Sequence, residues 1–319
     1  TLTANPSLDR TVSLAAALEP GEVQAALEAR EDAGGKGINV SRVVAASGVA
    51  TLAVLPLASN DPFAAALHSS RIPVRTVPIT GHARANTTIT DPAGVTTKLN
   101  LPGAALTPED RAHIIQAVVD ACRGARWLVL AGSLPPGAGD SFYVEVIAAV
   151  RTSYGDAAPR IAVDTSGPAL HAVVASAMPD LIKPNDEELA ELTGQDLDSG
   201  LDLRSAAATL ARSLVPERVA AALVTLGGAG AVLVNADGAV AASPPPISVV
   251  STVGAGDSSL AGYLLAEIAG ETASGCVANA VRYGSAAASL PGTLAPTRSD
   301  LPTGEVRVTS LDPLTGTVA

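Results

Sequence analysis

A glycine-rich turn that contains one carboxylate carries the clearest chemical signal in the sequence. The run Ser251-Thr252-Val253-Gly254-Ala255-Gly256-Asp257-Ser258 follows an apolar, extended segment at 247–250 and precedes an amphipathic helix pattern at 257–270. Glycines let backbone N–H groups approach a ligand, and a helix N-terminus attracts anions. A carboxylate at such a place suits a base that deprotonates a hydroxyl while the amides hold a phosphate. The alternative is that Asp257 caps the helix.

A second glycine-rich stretch combines a cation with an amide. In Ala33-Gly34-Gly35-Lys36-Gly37-Ile38-Asn39-Val40, the glycines precede a predicted helix over 37–47. Lys36 can neutralise a phosphate, and Asn39 can hydrogen-bond sugar hydroxyls. The spacing differs from the GxxxxGK[ST] pattern of a P-loop. A simple turn leading into the helix is the alternative.

Further polar residues follow predicted strands or loops in the first half of the chain. Asp9 ends a predicted strand and can accept hydrogen bonds from sugar hydroxyls, or stabilise a turn. Arg84 can contact a phosphate in bidentate fashion, with Asn86 beside it; Lys98 is a weaker candidate of the same kind. Ser133 follows a predicted strand at the edge where open α/β sheets bind ligands.

Two motifs in the second half favour a nucleotide and a metal. Asn185 and Glu188 are three positions apart at the start of a predicted helix. Such a pair suits Mg²⁺ bound through water, although an Asn N-cap followed by acidic residues explains it equally well. The turn after the strand at 222–226 can admit nucleotide phosphates, and its candidate residues are Thr225, Gly227, Gly228 and Gly230.

The composition excludes several classes of function. The chain has 319 residues, a formal net charge of −11 and only seven aromatic residues, which disfavours nucleic-acid binding. It contains no apolar run of membrane-spanning length, and no signal peptide is recognised, so we expect a cytoplasmic protein without a membrane partner. Cys122 and Cys276 lie in separate apolar helical patterns, which predicts buried thiols.

The order of patterns predicts an α/β fold. Strands are predicted over 127–131, 161–164, 181–183 and 222–226, with helices over 107–122, 141–152, 168–177, 186–193 and 203–214. A hairpin around Asp237-Gly238 and helices over 257–270 and 272–289 follow. This alternation implies a mostly parallel central sheet covered by helices, a three-layer sandwich.

The first hundred residues have a different pattern. Extended segments at 11–15 and 24–28 and a hairpin at 85–101 flank a helix over 37–47 and a strand over 51–57. We infer that the two extended regions, about 8–33 and 84–102, pair as a small β lid over the ligand edge, within a single domain of residues 1–319. A free edge of this lid could pair between subunits and form a homodimer.

Taken in order, these motifs resemble the ribokinase-like sugar kinases of the phosphofructokinase B type, in the branch with 1-phosphofructokinases and tagatose-6-phosphate kinases. The matching stretches are TLTANPSLD, AGGKGINV, RANTTITDPAGVTTKLN, LAGSLPPG, LIKPNDEEL, VTLGGAG and PPPISVVSTVGAGDSSLAG. The resemblance extends from Thr1 to about Pro291. It implies phosphorylation of a ketohexose phosphate with ATP, with fructose 1-phosphate favoured over tagatose 6-phosphate and fructose 6-phosphate.

The resemblance also implies a role for each motif. Asp257 would be the catalytic base, and the N–H groups from Gly254 through Ala255 and Gly256 would form an anion hole. The implied sugar ligands are Asp9, Gly34, Gly35, Lys36, Asn39 and Asn86, and the implied ligands of the substrate phosphate are Arg84, Lys98 and Ser133. Lys183 would lie along the nucleotide, with the family's NxxE magnesium motif at Asn185 and Glu188. The carbonyls of Ser251 and Val253 would hold a monovalent cation such as K⁺.

Three segments depart from the pattern of the family. Leu57-Ala58-Ser59-Asn60-Asp61-Pro62 lacks an expected glycine, Leu101 stands where relatives carry Glu, and 290–294 lacks a clear polar cation ligand. These departures bear on substrate preference and cation activation. Two other classes fit the residues less well: a dehydrogenase is disfavoured because Ser259 replaces the last glycine of GxGxxG, and a non-catalytic sugar-phosphate sensor is disfavoured by the presence of Asp257.

Overall fold

The computed structural model describes residues 1–197 and 202–311, so the predicted 1–319 domain extends beyond the described residues at 198–201 and 312–319. Its main element is a ten-stranded sheet. The strands are β1 (Leu2–Thr3), β4 (Ala53–Leu57), β5 (Val74–Pro78), β8 (Trp127–Ala131), β9 (Arg160–Asp164), β10 (Leu181–Ile182), β11 (Ala221–Thr225), β12 (Ala231–Asn235), β13 (Gly238–Ser243) and β14 (Arg307–Ser310). The spatial order is β14-β13-β12-β11-β10-β9-β8-β1-β4-β5.

Seven neighbouring strands of this sheet, from β11 to β5, run parallel, whereas β12, β13 and β14 pair antiparallel. Strands such as β4 and β8 consist almost entirely of buried aliphatic residues because helices cover both faces. The parallel direction brings the carboxyl ends of these strands to one edge.

Helices form a layer on each side of the sheet. Their bounds are α1 (Lys36–Ala46), α2 (Phe63–Ser69), α3 (Pro108–Ala121), α4 (Phe142–Tyr154), α5 (Gly167–Ser176), α6 (Asp186–Thr193), α7 (Leu203–Arg212), α8 (Ala255–Ile268) and α9 (Ala273–Ala288). Helices α3 to α7 pack in one apolar cluster, and α1, α8 and α9 in another. Sequence signals set their starts: Thr107 caps α3 in a capping box with Asp110, as the pattern at 107–110 predicts. The predicted α/β sandwich is therefore confirmed.

A separate four-stranded sheet is assembled from two distant parts of the chain. Its strands are β2 (Ser7–Leu14), β3 (Ala26–Gly34), β6 (Arg84–Thr90) and β7 (Thr96–Asn100), in the order β3-β2-β6-β7. Strand β2 runs parallel to β6, with Asp9 paired to Asn86. These are the two regions that the sequence analysis pairs with each other.

Several local predictions are wrong. Residues 247–250 form no strand, and α8 starts at Ala255, two residues earlier than expected. Asp9 lies inside β2 rather than at its end. The elements α2, β5 and β14 lack a strong periodic signal and were not predicted. Within the described residues both cysteines are free and buried, as predicted, and no helix is long and apolar enough to span a membrane.

Candidate active site

The glycine turn before α8 forms an open helix N-terminus. Gly254 adopts a left-handed conformation, with φ of 75°, that places the following amides at the start of the helix. Within the described residues no side chain caps α8, and α1, α2, α4 and α5 also lack a side-chain cap, whereas α3, α6, α7 and α9 have one. The structure therefore excludes the alternative in which Asp257 caps the helix. The uncapped N–H groups leave a place for an anion.

Asp257 lies buried at this helix start, 7% exposed, and Asn39 Nδ2 donates a hydrogen bond of 2.8 Å to its Oδ2. Burial and the negative charge of Asp164 raise the pKa of Asp257 to about 6; the ammonium groups of Lys36 and Lys183 and the Asn39 bond act in the opposite direction. A carboxyl group with such a pKa is ionised at neutral pH and remains a better proton acceptor than an exposed Asp.

Two lysines converge on a fully buried carboxylate that the sequence analysis missed. This carboxylate is Asp164, at the end of β9. Its Oδ1 lies 2.7 Å from Lys36 Nζ, and its Oδ2 lies 3.3 Å from Lys183 Nζ. Burial raises the pKa of Asp164, but the two ammonium groups outweigh burial and the net shift is downward. Burial lowers the pKa of Lys36, but the negative charges of Asp164 and Asp257 raise it by more, so the net shift of this pKa is upward. Lys36 is thus held charged at the cavity, and Lys183 lies beside the same carboxylate.

Asp9 lies inside β2, paired in register with Asn86 of β6. Its Oδ1 accepts hydrogen bonds from Ser7 Oγ at 2.7 Å and from Asn86 Nδ2 at 3.1 Å. The buried Oδ1 of Asn86 has no partner among the described residues. Burial raises the pKa of Asp9, against the opposing effects of these two bonds and Arg84. The free oxygens of Asp9 and Asn86 suit the hydroxyls of a polyol.

Gly34 is required by this arrangement, and Gly34→Ala tests it. A Cβ at position 34 would lie 2.0 Å from Asp9 Oδ2, and moving the carboxylate would break its bonds to Ser7 and Asn86. We expect KM for the sugar substrate to rise by about tenfold or more, as for the loss of a charged hydrogen bond, with little change in KM for ATP. Gly275→Ala is the control, because Gly275 likewise lacks a positive φ and its added Cβ would meet only the flexible side chain of Glu271. Equal changes for both substrates would contradict the assignment.

A cavity of 480 Å³ is lined by two of the three residues predicted to hold a phosphate. Arg84, Ser133 and Asn5 line it, together with the 134–137 loop and the carboxylate of Asp140. The buried Nε of Arg84 has no partner among the described residues. Lys98 shares a face of the small sheet with Asn86 by register but is exposed and lines neither this cavity nor the larger one at α8.

The larger cavity, of 780 Å³, lies between the main sheet and the N-terminus of α8. It is lined by Lys36, Lys183, Asn185, Glu188, Thr225, Gly227, Gly228, Gly230 and Gly254 to Asp257. No motif in the sequence indicated its apolar wall, which comprises Pro244, Pro245, Pro246, Ile247, Val249, Val281 and Ala288. The lysines and helix amides of the lining suit phosphates and the apolar wall suits an aromatic base, so the chemistry of the lining fits a nucleotide.

The magnesium candidates Asn185 and Glu188 form a capping box. Glu188 N donates to Asn185 Oδ1 at 2.7 Å, and Asn185 N donates to Glu188 Oε2 at 2.9 Å. The described residues contain no cluster of three acidic, His or Cys residues that could hold a metal. Glu188 also acts electrostatically on Lys36, which places its charge at the phosphate end of the cavity. One carboxylate there fits Mg²⁺ bound mainly by phosphates and water.

A buried carboxylate, two ammonium groups and uncapped helix amides around one cavity suit phosphoryl transfer. The comparison with protein families identifies the class: residues 3–300 match the pfkB family of carbohydrate kinases, and the chain belongs to this family.

Relatives narrow the class further. The chain is 36% identical over 278 residues to a 1-phosphofructokinase of Rhodobacter capsulatus, which covers 85% of this chain and 84% of the relative. It is 34% identical over 292 residues to the ATP-dependent 6-phosphofructokinase isozyme 2 of Escherichia coli, covering 91% and 90%. The crystal structure of phosphofructokinase-2 from Escherichia coli in complex with substrates and products matches with a TM-score of 0.83 at 31% identity, over 94% of this chain and 95% of that one.

Proposed function

We propose that this protein transfers the γ-phosphoryl group of ATP to a hydroxymethyl group of a ketohexose phosphate, with fructose 1-phosphate as the preferred acceptor. The observation that carries the proposal is the buried carboxylate of Asp257 beside the uncapped amides of α8. That pairing suits deprotonation of an alcohol next to a phosphate under attack.

We assign the acceptor proton to Asp257. Asn39 occupies Oδ2 of this carboxylate, which leaves Oδ1 for the hydroxyl of the acceptor. Asp9 and Asn86 hold the other sugar hydroxyls, and Arg84 with Ser133 holds the phosphate that the substrate already carries. These contacts fix the hydroxymethyl group in line with the transferred phosphorus and so supply much of the rate.

The negative charge that moves between donor and acceptor falls on groups already in place. The amides of Gly254 to Asp257 and the ammonium groups of Lys36 and Lys183 line the phosphate end of the cavity. Mg²⁺, when held through water near Asn185 and Glu188, would neutralise phosphate charge. We propose that the 225–230 turn binds the remaining nucleotide phosphates, and that the four-stranded sheet is a lid that excludes water.

Fructose 1-phosphate is favoured because relatives named 1-phosphofructokinase match 82–85% of the chain at 32–36% identity. The alternatives are fructose 6-phosphate, supported by the relative from Escherichia coli, and tagatose 6-phosphate. The cation of Arg84 recognises a phosphate and does not by itself distinguish its position on the sugar.

A panel of sugar phosphates tests this proposal. We expect ADP release with ATP and Mg²⁺ to be fastest for fructose 1-phosphate, with kcat/KM at least about tenfold above the 6-phosphates, as expected for a misplaced charged contact. Fructose without phosphate serves as the control, because Arg84 then has no anion to bind. A preference for a 6-phosphate would reassign the acceptor, and no turnover with any sugar would favour the non-catalytic sensor.

Three further predictions concern a cation site, the oligomeric state and the location of the protein. The carbonyls of Ser251 and Val253 stay candidates for a K⁺ site; one solved structure of Escherichia coli phosphofructokinase-2 is described as a complex with potassium. A homodimer through the lid is supported by Leu27, Leu99 and Leu101, which are more than half exposed. One solved structure of Escherichia coli phosphofructokinase-2 is described as a tetrameric inhibited form. The expected cytoplasmic location is likewise a prediction.

A further inference from the structure

Asn39 lies between the proposed base and an arginine that no role yet explains. Arg42 follows Asn39 by three positions on α1, a spacing at which side chains are neighbours on the helix surface. Arg42 Nη1 donates a hydrogen bond of 3.3 Å to Asn39 Oδ1, and Asn39 Nδ2 donates one of 2.8 Å to Asp257 Oδ2. The three side chains form a continuous chain of donors and acceptors.

The chemistry of the two end groups fixes the orientation of the amide between them. A guanidinium has only N–H donors, and an ionised carboxylate has only acceptors. An amide has one end of each kind, so Asn39 satisfies both neighbours in only one of its two orientations. Without a donor at position 42, the amide can turn by 180° and present its oxygen to Asp257.

We propose that Arg42 is a positioning residue that holds the Asn39 amide with its NH2 group toward Asp257 and thereby keeps this carboxylate ionised. This inference rests on the proposed function, since it assumes that Asp257 is the base. Arg42 would touch neither the substrate nor the transferred group, and its effect on the reaction would pass through Asn39.

The charged groups that act on Arg42 differ from those that act on Asp257. Arg42 is half-buried, and the groups that act on it electrostatically are Asp32, Asp9 and Arg30 of the small sheet. Those that act on Asp257 are Asp164, Lys36 and Lys183. A substitution at position 42 leaves these three groups unchanged, so a change in the titration of Asp257 would report on the amide.

Arg42→Met tests the proposal, because methionine keeps much of the length and removes the donor. When the Asn39 oxygen faces Asp257, it accepts a hydrogen bond from the protonated acid and so favours that form. The pKa of the base then rises, and activity is lost at a higher pH. We expect the acid limb of kcat/KM to move upward by about 0.5 pH unit or more, and Arg42→Lys, which still carries a donor, to restore it in part.

Two comparisons separate positioning from other roles. Arg75→Met is the matched control, because Arg75 Nη1 also donates one bond of 3.3 Å, to the distant Ala117 oxygen; its acid limb should coincide with that of the unsubstituted protein. Asn39→Ala and the Asn39→Ala, Arg42→Met double variant should share one limb, since Arg42 has no amide left to hold. Circular dichroism and thermal unfolding check that each variant is folded.

Three results would overturn the inference: an acid limb in Arg42→Met that matches the unsubstituted protein, a higher KM for the sugar phosphate at every pH without a shifted limb, or a double variant shifted beyond Asn39→Ala. If Arg42→Met fails to fold, the pH profiles of Asn39→Ala and Arg42→Lys decide alone. An acid limb of Arg42→Lys at a lower pH than that of the unsubstituted protein would then refute the proposal. Undiminished turnover in Asp257→Asn would instead remove the proposed base itself, which distinguishes the two failures.

Discussion

Asp257→Asn is expected to lower kcat by about 10²–10⁴-fold, the usual contribution of a positioned general base. Asparagine keeps the size of the side chain but cannot take a proton from the acceptor hydroxyl. Because the amides of α8 and both lysines stay in place, ATP binding should be retained, which titration calorimetry can measure. In the unsubstituted protein, activity should fall as the pH drops through about 6, where Asp257 becomes protonated.

Asp61→Asn is the matched control for that substitution. Asp61 is also buried, but it accepts hydrogen bonds from the backbone amides of Phe63 and Ala83 and does not line the nucleotide cavity. We expect it to lower the free energy of unfolding and to leave kcat near its original value. A similar loss of kcat in both variants would mean that Asp257 acts through stability rather than as a base.

Asp164→Asn is expected to have the largest effect on stability. It leaves two ammonium groups next to a buried site without their shared counter-charge, and loss of one partner of a buried pair costs about 3–5 kcal/mol. Urea denaturation measures this change. Removing the negative charge of Asp164 also favours ionisation of Asp257, so the acid limb of kcat should move to lower pH.

Two further variants test the expected loss of stability in Asp164→Asn. Asp180→Asn removes a half-buried carboxylate 3.9 Å from Arg160, and we expect it to cost less than about 1 kcal/mol. Adding Lys183→Met to Asp164→Asn removes one of the unpaired charges and should recover part of the lost stability. A loss in Asp164→Asn no larger than in Asp180→Asn would show that the lysines find other partners or lose their charge.

Much of the main sheet could be predicted from sequence because its elements carry strong local signals. The strand at Trp127–Ala131 is a pure apolar run, and α6 is bounded by Asn185 and Gly194, so the predicted limits match the observed ones. The elements α2 and β5 are weakly patterned: Val74–Pro78 has a single buried residue. Its place in the sheet is fixed by pairing with β4, which local pattern does not encode.

The same distinction applies to the candidate site. Asp257, Lys36 and Asn39 were predicted because glycines mark both of their turns. Asp164 was missed because it lies at the end of an ordinary buried strand, and its importance comes from lysines 128 and 19 positions away. Only the fold brings these three groups together. A charged residue that directly follows Ile161-Ala162-Val163 was the one available signal, since a buried strand end seldom carries an unpaired charge.

The four-stranded sheet has a consequence for how the chain folds. Asp9 and Asn86 are neighbours in that sheet although 77 positions separate them. The intervening chain contains the strands β4 and β5 of the large sheet and the helix α2 between them. Closing so long a loop is entropically costly until the intervening strands have docked. The small sheet should therefore assemble late, and under mild denaturant its amides should exchange with deuterium before those of the large sheet. In such a partly opened state the proposed sugar site would be lost, whereas the nucleotide cavity would remain.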